Sequence, residues 1–236
     1  MPKVGDVINA ENASWSFASK DPNTLKNHMK KSIPQYDKGH SFIVEISEFF
    51  VKQESVIYDI GCSNGELTKR LALKHCDKNA LVIGIDSEKN FIDSATSNYA
   101  DIKNLVYKKE NATEHKYKNC DLVILYYTLH FIEISKRRTL LKNIYHSLKE
   151  GGALLLFEKS RQRDTRINDI LNQLYIDFKL KNGYSGNEIV AKARSLKGIL
   201  EPLSLDQNLQ ILEAAGFKDP CIVYKELCFD GILAVK

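Results

Sequence analysis

The chain contains no Cys-x-x-Cys pair. Its five cysteines, Cys62, Cys76, Cys120, Cys221 and Cys228, are scattered along 236 residues. That argues against a zinc ribbon and against a disulfide framework, and for free thiols in a reducing compartment. No metal is expected. No apolar run approaches the ~20 residues that a membrane helix needs. The amino-terminal stretch lacks a basic region followed by an apolar core, so no signal peptide is expected either. Charge of one sign is also missing: 34 Lys and Arg face 30 Asp and Glu, a formal net charge of +4. Composition therefore does not call for an extended nucleic-acid footprint, although a local basic patch stays open. The G-x-G-x-x-G fingerprint is absent as well, which disfavours a dinucleotide-dependent dehydrogenase. What remains, 43% hydrophobic and 27% charged residues, fits one cytoplasmic globular domain with room for a small lid.

The organising stretch runs from Val56 to Gly65. β-Branched and aromatic residues lead into Asp59, a turn with Gly61 and Gly65 follows, and Leu67 and Leu71 open a helical pattern. This reads as strand, glycine turn and helix N-terminus. A glycine turn brings backbone N–H groups close to a ligand because no Cβ blocks the approach. Leu81–Asp86 is a second buried strand, one helix further on, and it ends in an acid. Asp86 there can accept both hydroxyls of a ribose, or cap the helix that begins near Glu88. The pair Asp59 and Asp86 favours nucleoside binding. Cys62, inside the turn, reads as a small turn residue and not as a nucleophile.

Further strands are expected at Leu105–Tyr107, Leu122–Leu125 and Ala153–Phe157. Helices are expected between them, among them Ser135–Lys149, closed by Gly151-Gly152 as a C-cap. Regular alternation implies a parallel sheet covered on both faces, with ligands beyond the strand C-termini. Asp59, Asp86, Asn111, Tyr126 and Glu158 all fall there. Helices follow over Arg161–Lys181, Asn187–Leu200 and Leu205–Ala215. Ile222–Tyr224 and Ile232–Val235 are then paired by a hairpin turn at Asp230-Gly231, which adds an antiparallel edge strand. Residues 1–52 form an arm and cap helices, 53–158 the core, 159–203 a helical lid or a dimer-forming pair, and 204–236 complete the core. Trp15 and Phe17 either clip the arm down or close over a ligand.

Taken together, Trp15-Ser16-Phe17, Ser32-Ile33-Pro34-Gln35-Tyr36, Tyr58-Asp59-Ile60-Gly61-Cys62-Ser63, Gly151-Gly152-Ala153-Leu154 with Glu158-Lys159, and Asp177-Phe178-Lys179 with Asn182-Gly183-Tyr184-Ser185 and Glu188-Ile189 resemble one family in the same order. This is the carboxy-S-adenosylmethionine synthase family of tRNA wobble-uridine modification, a branch of the class I methyltransferases. The resemblance implies a Rossmann-like, mostly parallel seven-stranded sheet and S-adenosylmethionine (SAM) as cofactor. Members use prephenate to carboxylate the cofactor's methyl group. The family's cofactor-touching tyrosine maps onto Tyr36, its loop glycines onto the region of Gly61, and its ribose acid onto Asp86. Asp59, Cys62, Ser63, Gly65, Ser87, Asn111, Ala112 and Tyr126 are the further candidates along the cofactor, and Tyr184 and Arg194 the candidates toward a substrate carboxylate. Two positions depart from the family. Tyr126 stands where it has an asparagine. Ala193 stands where it has an arginine that grips the added carboxylate, with Arg194 one residue, or roughly 100°, further round the helix.

Those departures favour methyl transfer to a small molecule, giving S-adenosylhomocysteine. That reaction relies on positioning, with His130 or Glu158 as base and Tyr126 as orienting hydroxyl. The plainer reading of His130, a packed rim residue, is the favoured one. Carboxy-SAM synthesis is the alternative. A non-catalytic nucleoside-binding protein is the reading of another class. A small molecule is the expected partner, with a possible homodimer. Direct binding of tRNA is not expected, because Arg137, Arg138, Arg161, Arg163 and Arg166 read as a solvated face.

Overall fold

The computed structural model describes residues 2–6, 8–18 and 21–236. Seven strands form one sheet: β1 Val56–Ile60, β2 Leu81–Asp86, β3 Leu105–Lys109, β4 Cys120–Tyr126, β5 Leu148–Lys159, β6 Lys218–Glu226 and β7 Phe229–Val235. Their spatial order is β3-β2-β1-β4-β5-β7-β6. β1 to β5 run parallel, whereas β7 is antiparallel to both β5 and β6. Parallel strands covered on both faces need apolar residues at every position. β4 meets that demand, with Leu122, Val123, Ile124 and Leu125 all fully buried.

Three helices make the crossovers, α3 Glu66–Lys74, α4 Lys89–Asn98 and α5 Ile134–Ser147. Two precede the sheet, α1 Pro22–Ser32 and α2 Tyr36–Ile46. Three follow β5: α6 Thr165–Lys181, α7 Gly186–Ser195 and α8 Leu205–Glu213. One core layer packs Tyr58, Leu140, Leu141, Ile144 and Leu212, and the other packs Ile43, Ile57, Leu71, Ile124 and Phe157. A third cluster, with Val4, Ile8, Trp15, Leu25 and Phe91, seals the amino-terminal arm to the body. Strand order reverses between β1 and β4, so their C-terminal ends flank a crevice. Among the described residues no helix is long and apolar enough to cross a membrane.

The structure moves several sequence-based boundaries. Asp230-Gly231 is not the hairpin turn, because it lies inside β7, and the turn is Leu227-Cys228. Asp230 is fully buried and takes the Lys225 ammonium at 2.5 Å. A Cβ on Gly231 would sit 2.7 Å from the Phe157 ring, so this glycine serves packing rather than turning. Gly151-Gly152 does not cap α5. The helix ends at Ser147, and the pair lies within β5, where the β4–β5 register shifts. A Cβ on Gly152 would meet the carbonyl oxygens of Lys149 and Asp121 at 2.9 and 3.0 Å. α6 starts at Thr165 and not at Arg161, because Asp164 accepts the Ile167 N–H as N-cap. α7 stops at Ser195, short of Leu200, with Gly198 at φ +69° beyond it.

Candidate active site

A cavity of about 900 Å³ opens at the C-terminal ends of the parallel strands. Its floor is the loop from β1 to α3. Gly61 and Gly65 both have φ +75°, a conformation that side chains resist. Space excludes a Cβ as well, since one on Gly61 would lie 2.3 Å from Thr128 Oγ1 and one on Gly65 2.2 Å from Tyr107 Oη. Those two hydroxyls hold the loop: Thr128 donates to the Ile60 carbonyl at 2.9 Å and Tyr107 to the Gly65 carbonyl at 3.0 Å. Gly65 itself is not among the lining residues, so its part is to shape the turn.

Asp86 braces the loop from β2. Its Oδ2 accepts the Ser63 N–H at 2.8 Å and its Oδ1 the Glu88 N–H at 2.9 Å. It is not the cap of α4, whose N-cap position is Glu88. Each carboxylate oxygen keeps a further lone pair for a ligand. Asp59 is 2% exposed and accepts from Thr68 Oγ1 at 2.6 Å. Burial, opposed by that hydrogen bond and reinforced by the charge of Asp86, pushes the Asp59 carboxyl up to about 7. Burial also pushes the Cys62 thiol well up, which leaves it a packing residue. The Ser63 hydroxyl is buried with no hydrogen-bond partner among the described residues. A glycine-walled floor, an orphaned hydroxyl and an acid with spare acceptor capacity suit the ribose and amino-acid ends of SAM. Ser87, Asn111 and Ala112 line the same cavity. The Asn111 side-chain oxygen also accepts the Thr113 N–H at 3.0 Å.

Tyr126 and Tyr36 form the next wall. The Tyr126 hydroxyl donates to the Tyr36 carbonyl at 2.7 Å, and the two ring centroids are 5.3 Å apart. Gly39 makes this possible, because a Cβ there would lie 2.3 Å from the Tyr126 oxygen. The His40 ring lies 4.7 Å from that of Tyr126. Burial, helped by Arg70, lowers His40 to about 3, so it stands neutral. His130 lines the cavity, whereas Glu158, 1% exposed, lies behind it. Glu158 accepts the Leu129 N–H at 3.0 Å and engages His130 Nδ1 at 3.0 Å. With Nδ1 held, Nε2 is the His130 atom left for chemistry. Glu158 therefore orients His130 and does not itself face the cavity.

The structure does not gather every expected residue. Arg194 is exposed and outside the cavity lining, while Ala193 is within it. The Arg194 carbonyl instead accepts the Ala13 N–H at 3.0 Å. Tyr184 is buried away from the lining, where its hydroxyl meets Asp6, His28 and Ser32. Asp6 in turn holds Lys31 at 2.6 Å and His28 at 2.9 Å. Trp15 and Phe17 both line the cavity and pack as well: Phe17 lies edge-on to Phe131 at 5.0 Å. Sequence reasoning missed Thr68 and Thr128, which brace the loop. It also missed the role of Arg137, buried and donating to the carbonyls of Ile132, Glu201 and His130 at 2.7, 2.8 and 3.2 Å. A fourth omission is a stripe of α6 that faces the cavity, Asn168, Asn172, Tyr175 and Lys179. Its i, i+4, i+7, i+11 spacing was readable, but polar stripes on helices normally face water.

Comparison with known proteins agrees with this geometry. Residues 57–152 match the family described as a methyltransferase domain. A carboxy-S-adenosyl-L-methionine synthase of Staphylococcus epidermidis is 38% identical over 223 residues, 94% of this chain and 97% of that protein. A synthase of the same name from Helicobacter pylori is 31% identical, covering 95% of each chain. Among solved structures, a SAM-dependent methyltransferase from Aquifex aeolicus superposes with a TM-score of 0.59 at 18% identity, over 92% of this chain and 98% of that one. Human N-acetylserotonin methyltransferase, solved in complex with SAM, gives 0.57 at 20% identity over 92% of this chain, which spans only 60% of the human one. These structural likenesses establish the fold, and the sequence relatives establish the branch. The protein is a SAM-dependent transferase of class I methyltransferase fold, and the chain belongs to the carboxy-S-adenosyl-L-methionine synthase family.

Proposed function

We propose that the chain carboxylates the methyl group of SAM with prephenate as donor, producing carboxy-SAM for tRNA wobble-uridine modification. One observation carries this reading. The methyltransferase-domain match ends at residue 152, whereas the similarity to the synthases covers 94% of the chain. It therefore extends through α6 and α7, the elements that wall the cavity opposite the cofactor loop. SAM would supply a sulfonium methyl group whose C–H bonds the positive sulfur acidifies, so that the carbon can take up a carboxyl group once a proton has left it. Ser63, Asp86 and Tyr36 would hold it, Trp15, Phe17 and Phe131 would keep water away, and His130 Nε2 would be the available proton acceptor.

Methyl transfer to a small acceptor is the second reading. It is favoured by Ala193 lining the cavity while Arg194 points elsewhere, which leaves the family's carboxylate clamp unfilled from α7. The two separate by mass spectrometry of purified protein incubated with SAM and prephenate. A product heavier than SAM by one carboxylate supports the first. S-adenosylhomocysteine formed only on adding an acceptor, with no carboxylated species, supports the second.

We further place the enzyme in the cytoplasm, consistent with five free cysteines. We infer a homodimer through the apolar outer side of α6, where Ile167, Ile170, Leu174 and Leu180 are exposed. Light scattering checks the oligomeric state. The reading needs no direct contact with tRNA.

A further inference from the structure

Two cations that line the cavity share one aromatic ring and have no counter-ion among the described residues. Lys179 rises from α6 and Lys159 from the end of β5, and both reach the same aromatic ring. Their Nζ atoms lie 4.3 and 4.6 Å from the centroid of Tyr175. Both side chains are half-buried and line the cavity. Neither has a carboxylate within ion-pair distance among the described residues. Burial, and then the charge of Lys159, lowers Lys179 to about 8. Burial lowers Lys159 too, with Arg161 adding to the effect. Holding two like charges partly out of water beside one ring is unfavourable until an anion completes the group. SAM is a poor candidate for that anion. Its reactive end is a cation, and its one carboxylate belongs to the amino-acid end at the glycine loop.

We propose that Lys159 and Lys179, beside the face of Tyr175, form a subsite for the carboxylate of the second substrate, a ring-sized organic acid. This deepens the carboxylation reading and rests on it. The two ammoniums take the carboxylate by charge-assisted hydrogen bonds. Tyr175 and Phe229, whose ring centroids are 5.3 Å apart, offer an apolar surface to the acid's ring. Asn168 and Asn172, two turns and one turn before Tyr175 on the same stripe, supply amides for its remaining polar groups. The subsite explains how the cavity receives an anionic donor although Arg194 lies outside it.

The test uses SAM-loaded wild-type protein and the variants Lys159→Met and Lys179→Met, which keep the length of the stem. Prephenate binding is read by calorimetry and carboxy-SAM formation by mass spectrometry. Loss of one charge-assisted contact corresponds to at least about a tenfold fall in prephenate affinity and in kcat/KM, with SAM affinity and thermal midpoint held. In wild-type protein, phenylpyruvate competes with prephenate and its methyl ester does not, a result that depends on no variant folding. Variants that form carboxy-SAM with unchanged KM overturn the subsite and leave the carboxylation reading standing. Lysine-dependent prephenate binding without carboxy-SAM formation in wild type overturns that reading and leaves the subsite standing. Wild-type protein that neither binds nor converts prephenate overturns both.

Discussion

Tyr126 and Gly39 act as one unit. The tyrosine ring occupies the volume that a side chain at position 39 would take, and its hydroxyl ties β4 to the first residue of α2. Gly39→Ala forces a methyl group against that hydroxyl. The expected result is a loss of about 1–3 kcal/mol, the usual range for overpacking, together with weaker SAM binding as Tyr36 is displaced. Urea denaturation and calorimetry measure the two effects, and unchanged values in both would disprove the coupling. Asp59 gives a pH dependence. Its carboxyl titrates near 7 in the folded chain against an ordinary 3.8, so the native state holds a proton that the unfolded chain has released. Stability is thus full below about 4 and declines as pH rises through about 7. Asp59→Asn removes that decline. Comparing denaturation midpoints at pH 5 and pH 8 without added SAM should show a larger drop in wild type than in the variant.

α6 owes its start to one residue. Asp164 accepts the Ile167 N–H at 3.0 Å, and Asp164→Ala should cost about 1 kcal/mol of helix stability. Hydrogen exchange would then quicken in the first turns of α6 and stay unchanged in β1. Uniform protection across both elements would contradict this. The same element marks the limit of sequence reading. The strand and glycine-turn signals at Val56–Gly65 and Leu81–Asp86 are local, and the structure forms them where the pattern indicates. Asp230-Gly231 has the composition of a turn yet lies in β7, because what decides its place is the Phe157 ring, 74 positions earlier in the chain. Lys179 was legible as part of a helix, but its approach to Lys159 depends on how α6 lies across the end of β5. Arg194 differs from a cavity residue by one step of helix rotation, which no spacing rule fixes without the packing of α7.

At the scale of the whole molecule, Asp6 joins three distant segments. It holds His28 and Lys31 of α1 and the Tyr184 hydroxyl that leads into α7. Asp6→Ala takes the charged partner from a buried hydroxyl and a buried imidazole, which keep each other and Ser32, at a cost of about 1–3 kcal/mol. It should raise SAM dissociation several-fold while the sheet keeps its exchange protection. Stopped-flow dissociation alongside hydrogen exchange checks this, and an unchanged dissociation rate would show that the arm does not gate the cavity. The position of β7 has a different kind of consequence. It is the last strand of the sheet to leave the ribosome, yet it sits inside the sheet, between β5 and β6. Until Phe229–Val235 has been synthesised, the outer edge of β5 is a bare row of amides and carbonyls next to Lys159. The nascent chain can assemble its cofactor loop early, but the Lys159 side of the cavity has no finished neighbour until translation has passed that strand. Ribosome-bound chains stalled before Phe229 are therefore the species on which chaperones and aggregation compete.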